Sequence, residues 1–80
     1  MPEKYERLVR CFTSVFPMLA HNQVPTASMH SVPAWDSFGT VTLVAVLEQE
    51  FGLEIGLADF QDLVSFEAVL KYLSGRRIDL

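Results

Sequence analysis

Asp36 and Ser37 stand side by side where an aperiodic stretch gives way to an apolar one, offering a carboxylate and a hydroxyl at one point. Either side chain can accept from the unpaired N–H groups of a first helical turn, the ordinary role of Asp and Ser at such junctions. A Ser-His-Asp hydrolase would have to recruit His21 or His30. Adjacent Asp and Ser side chains cannot both flank one imidazole without strain, and the chain has no Gly-x-Ser-x-Gly elbow. His21, His30 and Cys11 show no recognised metal-ligand spacing, so neither a catalytic residue nor a metal site is expected. Cys11 is the only cysteine, which excludes an internal disulfide; its place in an apolar helical pattern reads as a buried thiol.

The elements that would hold Asp36 and Ser37 follow from periodicity. Residues 3–16 read as a helix, with Tyr5, Leu8, Val9, Phe12, Val15, Phe16 and Leu19 on one apolar stripe and Pro17 as the stop. Residues 20–35 have no period and carry His21, Asn22, Pro25, Thr26, Ser28, Ser31 and Pro33, so a long loop is predicted. A loop of that length needs a task, and Val24, Met29, Val32 and Trp35 are its expected anchors. Residues 37–51 read as a second helix with Phe38, Val41, Val44, Leu47 and Phe51 on one face and Gly52 as its stop. A short helical turn over 57–62 is anchored by Phe60 and Leu63. Ser65 caps a last helix over 66–74, with Phe66, Val69, Leu70 and Leu73 inward, Glu67 in its first turn and Gly75 at its end. The expected fold is all-α: a small four-helix bundle of three main helices and one short one, with a long loop between helices 1 and 2.

Size and charge narrow the function. Eighty residues, half of them apolar, suit a single domain over 1–80 with little room for a deep water-excluding cavity. That favours binding or carrying over catalysis. A net charge of −4 argues against a nucleic-acid partner. All six Lys and Arg lie in the first or last ten residues, whereas 11–70 carries seven acids: Asp36, Glu48, Glu50, Glu54, Asp59, Asp62 and Glu67. Such a field favours basic partners. No apolar run reaches membrane-spanning length and no signal-peptide pattern opens the chain, so a cytoplasmic monomer without membrane insertion is expected.

Asp36-Ser37-Phe38, followed by an apolar helix closing in Leu47-Glu48-Gln49-Glu50-Phe51-Gly52, resembles the acyl carrier protein family. The resemblance runs on through Glu54-Ile55, Asp59-Phe60 and the helix from Ser65 to Leu73, and the first helix matches it in pattern. It implies a 4′-phosphopantetheine arm on Ser37, installed from coenzyme A with Mg²⁺ by a phosphopantetheinyl transferase. Asp36 would support that modification, either by capping the helix or by binding the transferase's metal. The physics suits the role, because free N–H groups and the positive dipole end at a helix start favour a phosphate. The cargo thiol would belong to the arm, so Cys11 need take no part.

What the resemblance further implies is a carrier, not an enzyme. It would hold an acyl or aminoacyl thioester, loaded by a ligase and passed to a downstream transferase or synthase. The second helix would be the partner surface. Glu48, Glu50 and Glu54 would then meet Lys and Arg on the enzymes, and Phe38, Val41 and Leu43 would supply apolar contacts beside Ser37. Val41, Val44, Val46 and Ala68 could line a small cavity for cargo. Phe38 replaces the usual Leu, and Gly39 and Thr40 replace acids common in fatty-acid carriers. The Gly39-Thr40-Val41 run is more similar to D-alanyl carriers and to stand-alone carriers of secondary-metabolite biosynthesis. The competing reading is a non-catalytic helical interaction module, including a carrier that has lost its arm; a buried or internally hydrogen-bonded Ser37 would favour it.

Overall fold

The computed structural model describes residues 3–78; the outermost residues of the expected 1–80 domain, at 1, 2, 79 and 80, lie outside them. Helix α1 spans Glu3–Val15, with Glu3 and Glu6 in its first turn, where carboxylates suit the dipole. Its i, i+3, i+4 stripe buries Leu8, Val9, Cys11 and Phe12, and Phe16 follows into the core just past its end. Tyr5, Val15 and Leu19 of the predicted stripe are half-buried against that core.

The long connection is more ordered than its composition suggests. His21–Thr26 forms a 3₁₀ turn around Pro25, pinned by fully buried Val24. Val32 and Trp35 are buried as expected, but Met29 is 36% exposed and holds no core position. Instead the Met29 N–H donates to the Val64 carbonyl at 2.9 Å, and the Phe66 N–H donates to the Ala27 carbonyl at 3.0 Å. The loop is thus stitched by its backbone to the start of the last helix. Trp35 stacks on Phe16 and meets Phe12 edge-on, each pair with ring centroids 5.4 Å apart. Aromatic pairs of this geometry add about 0.5–1.5 kcal/mol beyond the area they bury.

Helix α2 spans Ser37–Phe51. It buries Thr40, Leu43, Val44 and Leu47, with Phe51 half-buried below them. The predicted face through Phe38 and Val41 is therefore wrong at its start: these side chains are 85% and 54% exposed. The helix is apolar almost all round, so its own periodicity does not choose a side, and packing against α1 does. Gly52 ends α2 at φ +65°, in the left-handed region, and its N–H donates to the Glu48 carbonyl.

A second 3₁₀ turn, Leu57–Asp62, lies against α2, with Phe60 half-buried and Leu63 fully buried just after it. Helix α3 spans Phe66–Gly75, and Ser65 caps it by accepting the Ala68 N–H at 3.0 Å. Phe66, Val69 and Leu73 face the core, and Phe66 meets the rings of Tyr5 and Phe12 edge-on. Gly75 is the last helical residue rather than the terminator. Arg77 takes the left-handed conformation, at φ +67°. Three α-helices and the short 57–62 turn make the expected all-α bundle, with the His21–Thr26 turn in addition.

Candidate functional site

Ser37 is the first residue of α2 and is exposed. Asp36 precedes it in extended conformation and closes the helix end. Its Oδ1 accepts the Gly39 N–H at 2.9 Å, and its carbonyl accepts the Thr40 N–H at 2.8 Å. A cap of this type stabilises a helix by about 1 kcal/mol. Because Asp36 supplies the cap, Ser37 does not have to. The Ser37 hydroxyl makes no hydrogen bond among the described residues, and the Ser37 and Phe38 N–H groups also find no acceptor there. An exposed hydroxyl, two free donors and the positive end of a 15-residue helix therefore coincide at one point.

Beside this point lies an open apolar groove of about 330 Å³. Polar Ser37, Thr40 and Gln61 line it together with apolar Met29, Val41, Leu57, Phe60 and Val64. Three of its lining residues are large exposed apolar ones, with Leu57 80%, Val41 54% and Val64 46% exposed. Of the residues expected to line a cargo cavity, only Val41 takes part. Val44 is packed in the core, Val46 borders a different depression beside Arg7 and Cys11, and Ala68 lines neither.

The expected partner surface divides when placed on the structure. Phe38, Val41 and Glu54 are exposed, with Phe38 and Val41 close to Ser37 in the chain. Leu43 is fully buried and cannot touch a partner; the buried side of α2 runs through it. Glu50 is exposed but engaged, since Arg7 Nε donates to its Oε2 at 2.6 Å and another Arg7 nitrogen donates to its carbonyl at 2.6 Å. Arg7 also lies 5.2 Å from the Phe51 ring centroid. Glu48 is half-buried, and its Oε2 accepts the Ile55 N–H at 2.8 Å, closing the turn after α2. Of the three acids, Glu54 alone has no side-chain partner among the described residues.

The other reactive groups lie elsewhere. His21 Nε2 sits 3.4 Å from Glu6 Oε1 on the α1 side, and neither imidazole is hydrogen-bonded to Ser37. Cys11 is buried, and desolvation pushes its thiol up to about 11, with the nearby Glu50 charge acting in the same direction. A thiol held protonated in this way is a poor nucleophile. Tyr72 donates to Asp59 Oδ2 and accepts from Arg76, both at 2.8 Å, tying the 57–62 turn to α3. Desolvation and the bond to Asp59 raise its phenol above the ordinary value.

Gly39 was legible only as a missing acid. A Cβ built there would run into the Ala34 carbonyl oxygen and lie 3.1 Å from Phe16 Cε1, so the first turn of α2 seats directly on the preceding loop. Nothing in the sequence pattern signals that approach.

No helix among the described residues is long and apolar enough to cross a membrane. A family model described as "phosphopantetheine attachment site" matches residues 34–73, half of the chain, and includes the Asp36-Ser37 junction. No curated protein and no solved structure matches the chain.

Proposed function

The chain belongs to the phosphopantetheine-attachment family, a family of carriers whose cofactor is covalently bound 4′-phosphopantetheine, and from that premise we propose that Ser37 is the residue that bears it. The observation that supports this most is the freedom of the Ser37 hydroxyl: it is exposed, has no hydrogen-bond partner among the described residues, and stands at the N-terminus of α2. A phosphodiester formed there would have the Ser37 and Phe38 N–H groups within the same turn. The groove that Ser37 helps to line offers apolar surface to whatever is tethered there.

Attachment requires little of this chain beyond presentation. The Ser37 oxygen bonds to the phosphorus joined to pantetheine while the pyrophosphate link of coenzyme A breaks. Adenosine 3′,5′-bisphosphate leaves, and the hydroxyl proton passes to a base on the transferase. Asp36 holds the helix end open to that approach by capping it through Gly39 rather than through Ser37. The attached arm supplies a terminal thiol that carries acyl or aminoacyl cargo as a thioester. The chain itself acts as a carrier and not as an enzyme, working as a monomer in the cytoplasm. Ligases that load it and transferases or synthases that unload it, in secondary-metabolite or related biosynthesis, are its partners.

Docking of those enzymes centres on Phe38 and Val41, with Glu54 as the acid free to meet a basic side chain. Glu48 and Glu50 serve the fold instead. The experiment is incubation with coenzyme A, Mg²⁺ and a promiscuous phosphopantetheinyl transferase, followed by peptide mapping. The expected result is one phosphopantetheine on the peptide containing Ser37. Modification at another hydroxyl would contradict the assignment.

A further inference from the structure

We propose that Gly39 is a positioning residue for this attachment: its missing side chain lets the first turn of α2 seat against the loop, and that seating fixes where the Ser37 hydroxyl is presented. The proposal rests on Ser37 being the attachment point. Glycine is a poor helix former, so its use inside the first turn of a 15-residue helix needs a reason. Dihedral freedom is not that reason, because Gly52 is the only glycine with positive φ among the described residues. Space is the reason. A Cβ would collide with the Ala34 carbonyl oxygen and press within 3.1 Å of Phe16 Cε1. A backbone carbonyl cannot swing aside as the end of a flexible side chain can.

The neighbours of Gly39 are themselves fixed. Phe16 and Trp35 are each 1% exposed and stacked at 29° between ring planes. Residues 34–36 run straight into Ser37: the Ala34 carbonyl lies against Gly39, Trp35 is locked in the stack, and Asp36 accepts the Gly39 N–H. Ser37 is thus presented from a segment held from both sides, and the missing side chain of Gly39 lets both sides close. A side chain at this position must push the turn off the loop and carry the Ser37 oxygen with it. Transfer of a phosphoryl-linked group depends on in-line approach of the attacking oxygen, so small displacements are costly.

The test compares wild type, Gly39→Ala and Val9→Ala. Val9 is a buried α1 residue outside the groove, and its truncation lowers stability without adding bulk at the start of α2. Loading from coenzyme A is followed by intact mass, with the folded fraction measured by circular dichroism on the same samples. Gly39→Ala is expected to load roughly 10- to 100-fold more slowly per folded molecule, through kcat, with KM for coenzyme A unchanged. Val9→Ala is expected to load at the wild-type rate per folded molecule. A wild-type rate in folded Gly39→Ala overturns the proposal, and so does equal slowing in Val9→Ala. Should Gly39→Ala fail to fold, Phe16→Leu opens the other side of the contact. Slower loading per folded molecule then supports the proposal, and an unchanged rate overturns it. A wild type that never loads fails the carrier reading itself and this role with it, an outcome recognisable because it does not depend on residue 39.

Discussion

Arg7 of α1 grips Glu50 at the end of α2, with its Nε 2.6 Å from Oε2 and a second nitrogen 2.6 Å from the Glu50 carbonyl. The residues are 43 positions apart in the chain, and their contact ties the N-terminal helix to the far end of the central one. Glu50 stays exposed, but its carboxylate is already paired.

Arg7→Ala should lower Tm more than Glu50→Ala, because it also removes the contacts to the Glu50 carbonyl and the Phe51 ring, which Glu50→Ala retains. The double variant should lose less than the sum of the two, because both single variants remove the same ion pair. Loading rates at low ionic strength should be unaffected in all three. Glu54→Lys should behave in the opposite way, leaving Tm unchanged and slowing loading most at low salt. Thermal melts and loading time courses at two salt concentrations separate the cases.

Glu48 has a different duty. Its carboxylate accepts the Ile55 N–H at 2.8 Å across the turn begun by Gly52. Glu48→Ala leaves that part-buried donor unpaired and should cost about 1–2 kcal/mol in denaturant unfolding. Glu48→Gln retains an acceptor oxygen and should recover much of the loss. Equal destabilisation by Ala and Gln would show that the charge, not the hydrogen bond, matters.

Cys11 gives a prediction with a pH sign. Its folded thiol is raised from 9.0 to about 11, chiefly by burial. A group whose folded pKa lies above its unfolded one binds its proton more tightly in the folded state. The associated stability is complete below about 9 and is lost as pH climbs towards about 11. Cys11→Ala should flatten the decline of Tm over that interval. At neutral pH, iodoacetamide should reach Cys11 only through the small unfolded fraction and so alkylate it slowly, whereas the free thiol of an attached arm without cargo should react at once. Rapid alkylation of Cys11 in native, unloaded protein would contradict its burial.

Much of this architecture could be read before any coordinates. The α1 stripe, the bounds of α2, the Gly52 stop and the Ser65 cap are local signals, and each stands where its residues place it. What escaped is what distance decides. Apolar on nearly every side, α2 has no preferred face of its own, so Phe38, Val41 and Leu43 could not be told apart as core or surface until α1 was packed against the helix: Leu43 is buried and the other two are exposed. Glu48 and Glu50 read as free acids because their partners, Ile55 and Arg7, are set by folding. The His21–Thr26 turn has one buried anchor and no period to betray it. At the site the Asp36-Ser37 junction was plain, but the division of labour within it was not. Asp36 does the capping and Gly39 gives way to the loop, and the hydroxyl between them is left free.

That free hydroxyl is the centre of the account, and intact-protein mass tests it most directly. Wild type and Ser37→Ala, both folded and initially unmodified, are incubated with coenzyme A, Mg²⁺ and a promiscuous phosphopantetheinyl transferase. The account predicts a gain of one phosphopantetheine in the wild type and none in Ser37→Ala. A gain in both, or in neither, would contradict it.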